Sequence, residues 1–197
     1  RAARSPAALA RLDAWLDADS AAGLPLRAPT RWAIVTRLTA AAHPRALERR
    51  LAETVRDSTS EGRRLAFVAG AAVPGAATKQ AYYTRWFTDS TLNEEWVTSS
   101  LRAFHDPEQA ALTQQYVVPS LDTLPWIQKN RRIFFLGAWL SAAIGGQNSA
   151  ESLRQIDAWL AAHPLLGADL RRKVLQSRDE LERTVRIRAL FVRNSST

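Results

Sequence analysis

The stretch Leu12-Asp13-Ala14-Trp15-Leu16 returns near the other end of the chain as Ile156-Asp157-Ala158-Trp159-Leu160. A second short repeat consists of Ala41-Ala42-His43-Pro44 and Ala161-Ala162-His163-Pro164. In both copies of the first motif, apolar residues recur at spacings of three and four, which is the period of an amphipathic α-helix. Such short repeats are typical of stacked helix pairs. This architecture provides a binding surface more often than a catalytic centre.

The segments between the repeated motifs are also amphipathic, and the whole pattern predicts about ten helices. Ser5-Pro6 and Asp106-Pro107-Glu108 each place an N-cap residue before an N1 proline, which marks a helix start. No segment combines alternating polarity with β-branched enrichment, so no strand is predicted. The pattern predicts an all-α fold of antiparallel helix pairs stacked into an arc.

Spacing and proline positions give more detailed expectations for single helices. On the third helix, Leu47, Leu51 and Val55 are expected to face inward. A long seventh helix should start at Pro107 and kink or break at Pro119 and Pro125. The eighth helix, over 131–144, is apolar nearly all round and should be the most buried element.

Composition indicates a globular, helix-prone chain with an unusual charge. Of its 197 residues 46% are apolar, Cys and Met are absent, and the net charge of +8 comes mostly from arginine. Two interpretations of this charge stay open. One is codon bias that places arginine on solvated helix faces, and the other is an anion-binding surface. No apolar run approaches the roughly 20 residues that cross a bilayer, and we expect a cytoplasmic location.

The residues of catalytic and metal sites do not occur in the required patterns. His43, His105 and His163 are far apart and have no metal-ligand partner at helical spacing, so they are predicted to lie at helix ends. There is no cysteine, no Gly-x-Ser-x-Gly elbow and no phosphate-binding glycine loop. We therefore predict no catalytic residue, no metal ligand and no cofactor in this chain.

The domain prediction is a single helical-repeat domain over 1–197. Residues 1–5 are expected to be a linker or the end of a preceding element, and 194–197 a frayed polar tail. The chain starts without an initiator Met. We expect it to be a C-terminal fragment of a longer polypeptide.

Short motifs spread over 24–191 carry a family resemblance. They are Leu26-Arg27, Arg31 to Leu38, Thr59 to Ala72 with Glu61-Gly62-Arg63-Arg64, Lys79 through Trp86-Phe87, Leu92-Asn93, Tyr116-Val117, Leu124-Pro125-Trp126 and Arg171 to Arg188. Together they resemble the C-terminal helical domain of the aminopeptidase N family of zinc metallopeptidases, which includes the endoplasmic reticulum aminopeptidases. The arrangement resembles that of actinobacterial members.

The resemblance implies a right-handed α-solenoid of HEAT- or armadillo-like helix pairs, which in the full enzyme closes over a catalytic domain and walls a peptide chamber. That family's zinc-binding His-Glu-x-x-His helix and its Gly-x-Met-Glu-Asn loop do not occur here. Zinc is thus expected in a catalytic domain outside this chain. The implied partners are that domain of the same polypeptide and a peptide substrate.

An arginine on the inner wall could bind the C-terminal carboxylate of a peptide through charge-assisted hydrogen bonds. The candidates are Lys129, Arg131 and Arg132, at the start of the eighth helix. The alternative is that these side chains simply point to solvent. Two other functions stay open: a free-standing α-solenoid scaffold for a protein partner, and a nucleic-acid-binding array, which the acids interleaved with arginines in the last helix disfavour.

Overall fold

The computed structural model describes residues 4–194, and these are mostly helical. The chain forms two compact units, one ending at Phe104 and one beginning at His105. The first unit contains α1 (Pro6–Ala18), α2 (Ala28–Ala40), α3 (Ala46–Arg56), α4 (Ser60–Ala71), α5 (Ala76–Thr88) and α6 (Glu94–Phe104). The all-α prediction is therefore confirmed, whereas curvature into an arc and a single repeat domain over 1–197 stay predictions.

The second unit holds six further α-helices and two short 3-10 helices. The α-helices are α7 (Ala110–Thr113), α8 (Val117–Asp122), α9 (Leu124–Asn130), α10 (Ile133–Ala143), α11 (Ala150–Ala162) and α12 (Ala168–Asn194). The 3-10 helices are Pro107–Gln109 and Gln114–Tyr116. Asn194 ends α12, and the rest of the predicted frayed tail, 195–197, lies outside the described residues, as do 1–3 of the predicted linker. Nowhere in the described part of the chain is a helix both long and apolar enough to cross a bilayer.

The predicted helix start signals are confirmed by hydrogen bonds. The hydroxyl of Ser5 accepts from the backbone N–H of Ala8, with Pro6 opening α1. The carboxylate of Asp106 accepts from the N–H of Glu108 at 2.8 Å. Each cap satisfies an N–H group that has no partner inside its own helix.

Two expectations about local structure need correction. The loop predicted after α1 contains a small hairpin in which β1 (Ser20–Ala21) pairs with β2 (Leu24–Pro25). Its turn residues Ala22 and Gly23 both have positive φ, as a tight hairpin turn requires. The long seventh helix is broken before Pro125, as predicted, and also by the 3-10 turn at 114–116, whereas α8 continues through Pro119 without a break.

Tryptophan side chains anchor the core of each unit and use their N–H groups to fix neighbouring elements. In the first unit Trp32 is 1% exposed and donates to Asp57 at 3.0 Å. In the second, Trp139 donates to the carbonyl of Ser120 at 3.0 Å and Trp159 to Asp122 at 2.7 Å. Buried indole rings with satisfied N–H groups contribute both apolar area and orientation.

Helix α3 is oriented opposite to the prediction. Leu47, Leu51 and Val55 are 59%, 57% and 83% exposed, while Glu53 is only 2% exposed. The inward face of α3 is instead polar, because it meets acidic and basic side chains of α1 and α2. Glu53 accepts from the Nε of Arg31 at 2.8 and 3.0 Å, and α3 therefore packs by ion pairs rather than by its leucines.

The ion pairs between α3 and α1 share their partners. Arg49 binds Asp13 at 2.6 Å and Asp17 at 2.7 Å, and Arg45 binds the same two carboxylates at 2.8 and 2.9 Å. Hydrogen bonds from Arg45 and Arg49 lower the pKa of Asp17 to about 2. Burial acts to raise the pKa of Asp13, but the hydrogen bonds and charges of Arg49 and Arg45 outweigh it and lower that pKa.

These lowered pKa values predict acid sensitivity of the first unit. An aspartate in the unfolded chain has a pKa of about 3.9, so the ion pairs contribute full stability above about pH 4 and lose it as the pH falls towards about 2. We expect the melting temperature to drop steeply over this interval. In the variant Asp13→Asn/Asp17→Asn it should be lower at pH 7 and much less pH-dependent between pH 5 and 2. Equal slopes in both proteins would contradict the assignment.

The composition of helix α10 predicts that it is the most buried element, but only part of the helix is buried. Phe135, Leu136 and Trp139 are at most 5% exposed, but Ile133 and Phe134 in its first turn are 83% and 87% exposed. Because almost every residue of this helix is apolar, the sequence gives no signal for which face points outward. The exposed turn adjoins the candidate binding residues.

Candidate functional site

The link between α9 and α10 brings the three predicted cationic residues together. Lys129 lies in the last turn of α9, Arg131 is the extended C-cap of that helix, and Arg132 is the N-cap of α10. The N–H of Arg131 donates to the carbonyl of Ile127 at 2.9 Å, which closes α9. Ile127 is 1% exposed, so the link is fixed to the core of the second unit.

The Arg131 guanidinium lies between two aromatic rings. Its carbon is 5.3 Å from the ring centre of Trp126 and 5.4 Å from that of Phe135, distances typical of cation–π contacts. Its Nε is buried and has no hydrogen-bond partner among the described residues, and no carboxylate of these residues pairs with the guanidinium. A stacked arginine without an acid partner retains donors for an incoming anion.

The residues around Arg131 favour the binding of an anionic group that has an apolar group beside it. Lys129 and Arg132 are exposed, and no side chain caps the N-terminus of α10. The partial positive charge of a helix N-terminus adds to these cations. Trp126, Ile133 and Phe134 expose apolar surface beside them. We call the six residues 126, 129 and 131–134 the α9–α10 surface.

Sequence reasoning found the cations of this surface but not its apolar part. Phe134 belongs to the helix that is expected to be the most buried element, since apolar stripes are usually buried. Trp126 follows Pro125 in the first turn of the short helix α9 and is 46% exposed. Whether the α9–α10 surface faces a peptide stays a prediction.

The histidines and acids of the described residues form no metal centre. No group of three or more His, Cys, Asp or Glu side chains within 4–194 is arranged to hold a metal ion. His163 caps α11 and stacks on Trp159 with ring centres 4.2 Å apart, while His43 follows the end of α2. The arrangement of side chains within 4–194 therefore does not fit a zinc ion.

The described residues form helical, ion-paired units that include the cationic and apolar α9–α10 surface. Comparison with known proteins identifies the class of the chain. Residues 2–183 match the family model of the ERAP1-like C-terminal domain. The chain belongs to this family of C-terminal domains, which confirms the resemblance that its sequence motifs carry.

One relative is the aminopeptidase N of Streptomyces lividans, which is 34% identical to this chain over 194 residues. The alignment covers 95% of this chain but 22% of the relative. The chain thus spans less than a quarter of the length of that curated relative.

Proposed function

We propose that this chain is the non-catalytic C-terminal domain of a zinc-dependent aminopeptidase. It would wall the peptide chamber and shape substrate access to a catalytic domain outside this chain, where the zinc would be bound. The observation that carries the proposal is the match to the ERAP1-like C-terminal domain over 2–183. The similarity to a much longer aminopeptidase N supports it.

A packed helical domain suits this role for a physical reason. Helices that are fixed by buried side chains form a wall that excludes water and limits the length of a bound peptide. The closure of such a domain on the remaining polypeptide would link substrate capture to catalysis. This role requires binding groups rather than reacting groups, as the α9–α10 surface provides.

Within this proposal the α9–α10 surface contacts the peptide at its C-terminal carboxylate. Arg131 is held by Trp126 and Phe135, so little side-chain entropy is lost when it donates to a carboxylate. Lys129 and Arg132 add positive charge, and Ile133 and Phe134 offer contact to an apolar last side chain. A charge-assisted hydrogen bond of this kind contributes about 1.5–3 kcal/mol.

We predict that Arg131→Met weakens binding of a peptide acid by about tenfold or more, since tenfold corresponds to about 1.4 kcal/mol. Methionine retains apolar packing between the two rings but has no donor. The measurement is fluorescence anisotropy with a short labelled peptide ending in leucine, prepared as the free acid and as the C-terminal amide. The amide should bind the variant and the parent chain equally.

The matched control is Arg154→Met, which removes an exposed arginine paired with Glu151 on α11. It makes the same change in net charge away from the α9–α10 surface. Peptide-acid binding should stay as in the parent chain. Equal losses in the two variants would mean that net charge alone attracts the peptide, and the site would then be wrong.

The proposal also predicts that hydrolytic activity belongs to the complete gene product and not to this chain alone. This chain should not hydrolyse aminoacyl-anilide substrates with or without zinc, whereas the complete gene product should hydrolyse them in a chelator-sensitive manner. Release of the anilide is followed by absorbance. Zinc-dependent hydrolysis by this chain alone would overturn its non-catalytic role, and an inactive gene product without a peptidase domain would overturn the proposal as a whole.

The ion pairs of α12 support this proposal over a nucleic-acid-binding array. Arg178 pairs with Asp157 at 2.9 Å and with Glu182 at 2.6 Å, and Arg172 pairs with Asp169 at 2.8 Å. Arginines neutralised in this way attract phosphates less strongly than an unpaired basic face.

A further inference from the structure

Helix α3 has an apolar stripe on the side that faces solvent. Leu47, Leu51 and Val55 follow one another at a spacing of four and therefore share one face of the helix. All three are more than half exposed. We call these three residues the α3 stripe.

The α3 stripe cannot turn inward within this unit. Rotation of α3 would separate Glu53 from Arg31 and Arg49 from Asp13, whose contacts are 2.8 and 2.6 Å long. The buried Arg31 would then lose its main partner and keep only Asp19, which is half exposed, and this costs far more than leucine exposure. The outward orientation of the stripe is thus built into the packing of the unit.

A half-buried arginine lies at the edge of the α3 stripe. Arg50 follows Leu47 by three positions and lies beside Gly70 and Tyr82. Its Nε is buried and lacks a hydrogen-bond partner among the described residues, and none of their carboxylates pairs with it. This differs from Arg45 at the N-cap of α3 and from Arg49 within α3, which each bind two aspartates. The combination suits a partner surface with apolar side chains and a carboxylate opposite Arg50.

We propose that the α3 stripe and Arg50 dock onto another part of the same polypeptide, which presents apolar side chains and an acidic group. This inference rests on the proposed function. The aminopeptidase N relative is more than four times as long as the segment that this chain matches, so such a polypeptide has ample chain to cover the stripe.

The size of the stripe favours a covalently linked partner over a second copy. Three side chains of this kind bury roughly 200–400 Å², well below the about 800 Å² per partner that stable association of separate chains requires. Attachment in one polypeptide provides an effective concentration in the millimolar range, at which a small surface is sufficient.

Hydroxyl-radical footprinting of the complete gene product tests the proposal directly. In this chain alone, Leu47 and Leu51 should be labelled as expected for 59% and 57% exposure. In the complete gene product their exposed fraction should fall to about 10%, as in an interface core, so labelling should decrease about sixfold. Labelling that is equal in the two proteins would overturn the docking proposal.

Substitutions on α3 provide a second measurement with a matched control. Leu51→Asp should lower the melting temperature of the complete gene product, because it places a charge in the interface. Ala52→Asp makes the same charge change at the neighbouring exposed residue and should have little effect. In this chain alone both variants should melt like the parent. Identical melting of both variants in the complete gene product would also overturn the proposal.

Two further outcomes distinguish a failure of the docking proposal from a failure of the proposed function. If protection of the α3 stripe depends on protein concentration and appears together with a dimer mass, the occupant is a second copy and the proposal is wrong. If the complete gene product does not hydrolyse aminoacyl-anilides, the proposed function fails, whereas an active product with an exposed stripe contradicts only the docking.

Discussion

Replacing Glu53 by leucine is expected to lower the free energy of unfolding of the first unit by about 3–5 kcal/mol. Glu53 is 2% exposed and accepts both of its hydrogen bonds from the Nε of the buried Arg31. Leucine would leave Arg31 with Asp19 as its remaining carboxylate, which is half exposed to solvent. A buried guanidinium that loses its main partner retains its desolvation cost without the compensating attraction.

Equilibrium urea unfolding, combined with hydrogen exchange resolved to each unit, measures this loss. The matched control is Glu61→Leu, which removes a carboxylate that is 57% exposed and pairs with Arg64, and it should cost at most about 1 kcal/mol. The double variant Arg31→Met/Glu53→Leu should regain much of the lost stability, since a buried ion pair can often be replaced by apolar side chains. If the double variant is less stable than Glu53→Leu, the buried-charge explanation is wrong.

The secondary structure could be predicted well where signals are local. Ser5-Pro6 and Asp106-Pro107 each specify a cap within three residues, and both caps form as predicted. The break before Pro125 follows from the missing N–H of proline in the same local manner. The 3-10 turn at 114–116 contains no Pro or Gly, so nothing in its sequence predicts it.

The orientation of α3 could not be predicted because it depends on residues far away in the chain. Its leucines have the helical spacing of a core stripe, and the usual rule places such a stripe inside. Glu53 and Arg49 instead meet Arg31 and Asp13, which lie 22 and 36 residues earlier. A rule based on spacing alone contains no information about these partners.

The same limit applies to the candidate site. The cations Lys129, Arg131 and Arg132 are visible in the sequence as a run before an apolar helix. The sequence does not show that Arg131 is stacked between Trp126 and Phe135, or that Ile133 and Phe134 point outward. These properties depend on which face of α10 packs against the rest of the second unit.

Lys79 is the clearest example of a residue that the sequence does not distinguish from a surface lysine. Its side chain is fully buried, and its Nζ donates to the carbonyl oxygens of Ala71 and Phe104, each at 2.8 Å. Ala71 ends α4 and Phe104 ends α6. The ammonium therefore satisfies carbonyl groups that have no partner within their own helices, and it lies where both helix dipoles are negative.

We predict that Lys79→Met lowers the free energy of unfolding of the first unit by about 2–4 kcal/mol. Methionine fills much the same volume as the lysine stem but cannot donate a hydrogen bond, so two buried carbonyl groups lose their donor. Removal of the buried charge offsets part of this cost, which is why the expected loss is smaller than the sum of two unsatisfied groups. Urea unfolding with unit-resolved hydrogen exchange is again the measurement.

The control Lys129→Met tests whether the effect comes from burial or from charge. Lys129 is exposed on α9, and its substitution should change the free energy of unfolding by no more than about 0.5 kcal/mol. In Lys79→Met, hydrogen exchange should accelerate first in the last turns of α4 and α6, because the ammonium holds the ends of these two helices together. Uniform acceleration throughout the first unit would instead indicate a general packing defect and contradict this role of Lys79.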